Sequence, residues 1–158
     1  MNASFKTSDG ALEIIAFMLH NQQFCVRTTS IREIRGWAPV TPLPHAPTDV
    51  LGVMNLRGTV IPIVDLSVKL GMPPTAASER SAIVVTNVSG KTIGLMVDRV
   101  SDILTVATGD LQPVPIAAGI TSGSYAEGIF ARDKEMICFL NLDAIFSADP
   151  TDEWGEAA

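Results

Sequence analysis

The chain has 158 residues, with 11 Lys and Arg against 17 Asp and Glu and a formal net charge of −6. Charged residues make up 18% and hydrophobic ones 47%, which excludes a disordered chain and leaves apolar surface for partners. The basic residues are scattered along one domain's length of chain, so the clustered charge that neutralises nucleic-acid phosphates is missing.

The first ten residues are polar and small and read as a flexible N-terminus. The early apolar run, Ile14 to Leu19, is far short of the ~20 residues of a membrane span and lacks a basic start. The expectation is a soluble, cytoplasmic protein with no direct membrane insertion. Glu13–Leu19 and Phe24–Arg27 form a hairpin around His20 to Gln23. Ser30-Ile31-Arg32-Glu33 fits a capping box and predicts the start of a short helical turn. Pro39, Pro42, Pro44 and Pro47 mark a loop. Val50–Leu56 and Thr59–Val64 flank the tight turn Arg57-Gly58. Asp65 is placed to cap a brief turn ending at Leu70, before Pro73-Pro74.

Ala82–Thr86 and Lys91–Val97 flank Asn87 to Gly90, the clearest hairpin of the chain. Val100–Val106 follows, then a loop with Pro113 and Pro115. Ala126–Phe130 and Glu135–Leu140 surround Arg132-Asp133-Lys134, and Asn141 can cap a turn ending at Phe146. Residues 147–158 read as a flexible tail. Short strands at this spacing indicate an all-β protein of small barrels or a sandwich.

An internal repeat orders these pieces. Gly52 to Leu70 aligns without gaps on Gly128 to Phe146, with Ile61 over Ile137 and Asp65 over Asn141. Phe24 to Ile34 lies over Ile93 to Ile103. The expectation is one domain, 11–146, of two similar β-units at about 11–74 and 80–146, with strands free to cross over. Ile14, Phe17, Val53, Ile61 and Ile63 are assigned to one core, and Ile83, Val85, Leu95, Ile137 and Phe139 to the other.

Catalytic and metal-binding patterns are absent from the sequence: no GxSxG, GxxxxGK[ST], HExxH or GxGxxG occurs. His20 falls in a hairpin turn and His45 in a proline loop, both as ordinary solvent-facing residues. Asp98 and Asp102 are four apart, and a solvated acidic face accounts for them better than a dyad. Cys25 and Cys138 lie in apolar runs without a CxxC and read as buried thiols, though a disulfide stays open. No metal or cofactor is expected.

The segment Gly52 to Leu66 reads GVMNLRGTVIPIVDL. An Arg at its tip suits a solubilising turn as well as a binding surface. Pro62 has no N–H to give a ladder, so its strand is expected at an edge or bulged, as suits an interaction module. This pattern resembles the CheW family of bacterial chemotaxis coupling proteins. So do Glu33-Ile34-Arg35-Gly36 and Val97-Asp98-Arg99-Val100-Ser101-Asp102-Ile103-Leu104. The resemblance covers about Leu12 to Phe146.

The resemblance implies two intertwined five-stranded SH3-like β-barrels with a few short helices and no enzymatic activity. It implies an adaptor that couples chemoreceptor cytoplasmic tips to the regulatory domain of the histidine kinase CheA. Carried over by position, the receptor-binding groove falls on Ile31, Ile34, Gly94, Val97, Val100 and Ile103. Two related apolar ridges would make a slot for a helical tip. Core packing is the competing account of Ile31, Ile34, Val100 and Ile103, and it is favoured for Ile34 and Ile103. Glu33 and Arg57 match a supporting salt bridge.

Kinase contacts in the family use the outer ends of both barrels, here Gln112, Ile116 and Ala117. Gln112 and Ala117 depart from the basic and aromatic residues common there, which puts the ring-closing contact in question. Arg27-Thr28-Thr29 also departs from the usual mix beside the groove. A coupling protein of a non-flagellar chemosensory pathway is the alternative within this class. A small β-barrel ligand carrier or enzyme is the alternative outside it.

Overall fold

β-Branched and aromatic residues in short alternating runs form eleven strands over the described residues, 10–114, 125–132 and 135–147, of the computed structural model. They are β1 (Ala11–Leu19), β2 (Gln22–Arg27), β3 (Ile31–Gly36), β4 (Val50–Leu56), β5 (Thr59–Asp65) and β6 (Ala82–Val88). Then come β7 (Lys91–Val97), β8 (Arg99–Ala107), β9 (Leu111–Gln112), β10 (Ala126–Arg132) and β11 (Glu135–Leu140). Two short helices, α1 (Leu66–Lys69) and α2 (Leu142–Ser147), follow β5 and β11. The fold is mainly β.

One sheet has the order β8-β1-β2-β11-β10-β9, the other β3-β6-β7-β5-β4. The repeat pairs β1 with β6, β2 with β7, β3 with β8, β4 with β10 and β5 with β11. Exchanging each strand for its equivalent turns one sheet order into the other, apart from the two-residue β9. The parallel pair β2–β11 corresponds to β7–β5. Even the irregularities repeat, with register shifts at Val50/Gly52 and at Ala126/Gly128.

The sheets do not divide the chain at its midpoint. Hairpin β1–β2 pairs with β8 and β11, and hairpin β6–β7 pairs with β3 and β5. The assortment of core residues expected from the sequence is therefore wrong. Ile14 joins Ile137 and Phe139 in one cluster, while Ile61 and Ile63 join Ile83 and Val85 in another. Phe17 and Leu95 lie in a third cluster that both sheets share, and Val53 is half-buried. Each sheet thus has its own cluster on one face and the common one on the other, consistent with two SH3-like barrels. In β1, Ile14 and Ala16 enter the private cluster while Phe17 and Leu19 enter the shared one, as alternation requires.

Two local expectations also change. Ser30 ends a one-turn 3-10 segment, Thr28–Ser30, and Ile31 to Gly36 are strand. The capping-box pattern is overridden because β3 pairs with β6, from Ile31 opposite Thr86 to Gly36 opposite Ala82. Pro62 lies in β5, which has neighbours on both sides, but β7 pairs only with Ile63 to Asp65. The proline sits just before that ladder begins, where its missing N–H has no partner to disappoint.

The caps form. Asp65 accepts the Ser67 N–H at 3.1 Å and both Thr75 N–H and Oγ1 at 2.9 Å. Asn141 Oδ1 accepts the Ala144 N–H at 3.1 Å. The two turns meet through Lys69, whose Nζ lies 3.5 Å from Asp49 Oδ2 and 5.3 Å from the centre of the Phe146 ring.

Candidate functional site

The chain passes between the sheets at two repeat-equivalent places, from β2 to β3 through Thr28–Ser30 and from β7 to β8 at Asp98. Each passage delivers a strand to the edge of a sheet. β3 carries Ile31 and Ile34, and β8 carries Val100 and Ile103. Ile31 and Val100 are half-buried and pack on the cluster shared by both sheets. Ile34 and Ile103 are 41% and 56% exposed. Core packing, favoured for these two from the sequence, is therefore incorrect. Among the described residues β3 and β8 are edge strands, each paired on one side only.

Gly94 and Val97 belong to buried β7: Gly94 faces the cluster of Ile63 and Ile83, and Val97 lies in the shared cluster on which Ile31 and Val100 pack. A Cβ on Gly94 would stand 2.6 Å from Ile63 Cδ1, and Val97 is wholly buried.

Glu33 of β3 and Arg57 of the β4–β5 turn are brought together, Oε1 to Nη2 at 2.7 Å. Arg35 Nη1 reaches the other carboxylate oxygen at 3.2 Å. The Arg57 hydrogen bond, helped by Arg35 against some desolvation, holds the Glu33 carboxyl below its usual range. Arg57 itself is mostly exposed and has a left-handed φ of 52°. The turn is fixed by Asn55 Oδ1, which accepts the Gly58 N–H at 2.7 Å. A cleft of about 350 Å³ runs along Arg32, Glu33, Arg57, Thr59 and Thr92.

Gln112 lies in β9, exposed, opposite Ile129 of β10. Ile116 and Ala117 lie outside the described residues. The first repeat has the counterpart of β9: Thr41 bridges Val53 of β4, with N–H···O contacts of 2.9 and 2.8 Å. Both approaches need a glycine. A Cβ on Gly52 would lie 2.2 Å from the Thr41 carbonyl oxygen, and one on Gly128 2.5 Å from that of Gln112.

Of the remaining ionisable candidates, Asp98, Asp102 and His20 make backbone contacts. Asp98 Oδ2 accepts the His20 N–H at 2.5 Å, and Asp102 Oδ1 accepts the Ile103 N–H at 2.9 Å, so the two carboxylates serve different backbone N–H groups. His20 Nε2 lies 2.8 Å from the Pro73 carbonyl oxygen, and His45 is exposed. Cys25 and Cys138 are free thiols on neighbouring parallel strands but pack into different clusters. Burial pushes both thiols up, most strongly Cys25, which keeps them protonated and poorly nucleophilic. Among the described residues no cluster of His, Cys, Asp or Glu could hold a metal ion. None of the described helices is long and apolar enough to cross a membrane.

One structural pair escaped the sequence. Arg27 grips Glu127 through two contacts, 2.7 and 3.1 Å, and its guanidinium stands 4.8 Å from the centre of the Phe139 ring. It ties β2 to β10 across β11. Repeat equivalence offered no signal, because the corresponding residues are Met96 and Leu51.

Comparison with known proteins places these features in a family. Residues 13–149 match the CheW-like domain. The Chemotaxis protein CheW of Rhizobium meliloti is 48% identical over 148 residues, covering 94% of this chain and 96% of its own. The Probable chemotaxis protein CheW of Rhizobium etli is 49% identical over 140 residues, covering 89% and 90%. The crystal structure of the scaffolding protein TtCheW from Thermoanaerobacter tengcongensis superposes with a TM-score of 0.79 at 27% identity, over 87% of this chain and 94% of its own. The chain belongs to the CheW family of chemotaxis coupling proteins.

Proposed function

We propose that the chain is a non-enzymatic adaptor holding chemoreceptor cytoplasmic tips and the regulatory domain of the histidine kinase CheA in one complex. The observation that carries the receptor half is the pair of uncovered isoleucines. Ile34 and Ile103 occupy equivalent places in the repeat, on the edge strands of two different sheets, and remain exposed beside Ile31 and Val100. Apolar side chains held this way by rigid strands suit the apolar face of a helix. Val97 belongs to the cluster on which Ile31 and Val100 pack, Gly94 stays with the groove by position alone, and the Glu33–Arg57 pair holds β3 to the β4–β5 turn.

The kinase half uses the outer ends of the barrels, including Gln112 with Ile116 and Ala117. β9 and β8 are opposite edges of the six-stranded sheet, so both partners can be held at once. Through them the adaptor stays in the cytoplasm and is drawn to membrane-associated receptor arrays. No cofactor takes part.

The test is co-elution. A receptor cytoplasmic fragment and the kinase regulatory domain are run on a sizing column with and without the chain. One three-component peak that forms only when the chain is present supports the proposal. A chain that elutes apart from both partners contradicts it.

A further inference from the structure

We propose that Arg27 and Glu127 are positioning residues for the receptor contact: their ion pair fixes the passage from β2 to β3 and so sets the place of Ile31. The inference rests on the receptor surface proposed above and adds two residues that act on it through Ile31.

The two repeat-equivalent passages are fastened differently. On the way from β7 to β8, Asp98 does the fastening: its N–H donates to the Met18 carbonyl at 3.0 Å, and its Oδ2 accepts the His20 N–H at 2.5 Å. The repeat puts Thr29 at the place of Asp98, and threonine has no carboxylate for such a contact. On the way from β2 to β3 the fastening moves two residues back, to Arg27. Both Nη atoms reach Glu127, one carboxylate oxygen each, at 2.7 and 3.1 Å. A fork of this kind fixes direction as well as distance.

Both partners are themselves held. Glu127 sits at the register shift between Ala126 and Gly128, and a bulge re-aims the side chain that it frees from the ladder. The Arg27 guanidinium stands 4.8 Å from the centre of the Phe139 ring, which is wholly buried. Thr28, the next residue, donates its hydroxyl to Glu13 Oε1 on β1 at 3.1 Å. Arg27, Ser30 and Glu127 meet Asn87 of β6 around a gap of only about 40 Å³. There the passage reaches β6, and Ile31, the residue after Ser30, lies opposite Thr86.

The other unit closes the same corner without charge. Met96 stands at the place of Arg27 and Leu51 at that of Glu127, and both belong to the cluster of Ile61, Ile63 and Ile83. An apolar pair stabilises as well as an ion pair once desolvation is counted, so stability alone gives no reason for Arg27 and Glu127. What the ion pair adds is orientation of the chain that leads to Ile31.

The experiment uses the full chain with Arg27→Met, Glu127→Leu and the two together, which copy the residues of the other unit. Ile103→Glu serves as the check on the receptor surface. Urea unfolding gives stability, and calorimetric titration against a receptor cytoplasmic fragment and the kinase regulatory domain gives both affinities. The proposal expects the double variant to unfold at the wild-type midpoint or above. It expects that variant to bind the receptor fragment about tenfold or more weakly, with kinase affinity unchanged. Each single variant should lose about as much receptor affinity as the double, because either one frees the same passage. Losses that add up in the double variant overturn the pair as a unit. A double variant that fails to fold, or that loses both partners equally, overturns the positioning role in favour of a general prop. Wild-type receptor affinity in the double variant, while Ile103→Glu loses it, overturns the positioning role and leaves the receptor surface standing. No wild-type binding to the fragment overturns both.

Discussion

Gly52→Ala puts a methyl group where the backbone of the proline loop already is. The new Cβ would lie 2.2 Å from the Thr41 carbonyl oxygen, 2.6 Å from its carbon and 3.0 Å from Pro42 Cα. None of these atoms is the end of a flexible side chain, so relief requires Thr41 to leave β4. That breaks the two hydrogen bonds between Thr41 and Val53, each worth about 0.5–1.5 kcal/mol net. The backbone φ of +153° adds about 1–3 kcal/mol for a residue with a side chain. The sum is about 2–6 kcal/mol, a large part of a typical 5–15. Gly58→Ala is the control: its φ is +89°, but nothing lies within 4 Å of its Cβ, so only about 1–2 kcal/mol is at stake. Urea unfolding of the two variants, followed by circular dichroism, measures the difference. Equal unfolding midpoints would mean that Thr41 does not pack on β4 and that the counterpart of β9 in the first repeat is not there.

Further outcomes follow from the same geometry. Gly128→Ala, without a left-handed φ, should lose β9 from the sheet and cost about 1–3 kcal/mol by the same unfolding assay. Phe139→Ala, at a fully buried site with its ring tilted against that of Phe130, should cost about 3–5 kcal/mol in chemical denaturation. Because Arg57 lowers the Glu33 pKa, the pair stabilises the fold above the ordinary carboxylate range and ceases to as pH falls through the lowered value. Melting curves of wild type and Glu33→Gln should therefore differ at neutral pH and converge in acid. Cys25 should resist alkylation in the native state at mildly basic pH and react once the chain is unfolded in urea, which mass spectrometry of the labelled protein would read.

Hairpins were legible because they are local: strand alternation and turn residues lie within about a dozen positions. So was the repeat, since Gly52 and Gly128 begin equivalent segments and Asp65 and Asn141 both cap turns. Partner choice was not legible. Alternation says which face of β1 is apolar, not that its neighbour is β8, ninety residues on. Sequence reasoning therefore named buried residues, Val53 excepted, but sorted them into the wrong groups. The same limit misplaced Ile34 and Ile103, because what packs over the face of an edge strand is set by tertiary neighbours that local alternation does not name. It also hid Arg27–Glu127, which lie 100 residues apart. At Ser30 a local pattern that normally starts a helix lost to a ladder with β6. The Glu33–Arg57 pairing was reachable only through family resemblance, because nothing in the spacing of the two residues brings β3 to the β4–β5 turn.

The central claim is that one chain holds two partners on separate surfaces, and Ile103→Glu tests it most directly. Ile103 is 56% exposed on an edge strand, so the charge leaves the cores untouched. Docking a helix over it would strip water from the new carboxylate, which should weaken receptor binding by a few kcal/mol, roughly a hundredfold or more. Gln112 stands at the far edge of the same sheet, so kinase binding should change by less than about 1 kcal/mol. Titration of the folded variant against a receptor cytoplasmic fragment and the kinase regulatory domain gives both numbers. Loss toward the receptor alone is the predicted result. Equal loss toward both partners, or loss toward the kinase alone, would contradict the account.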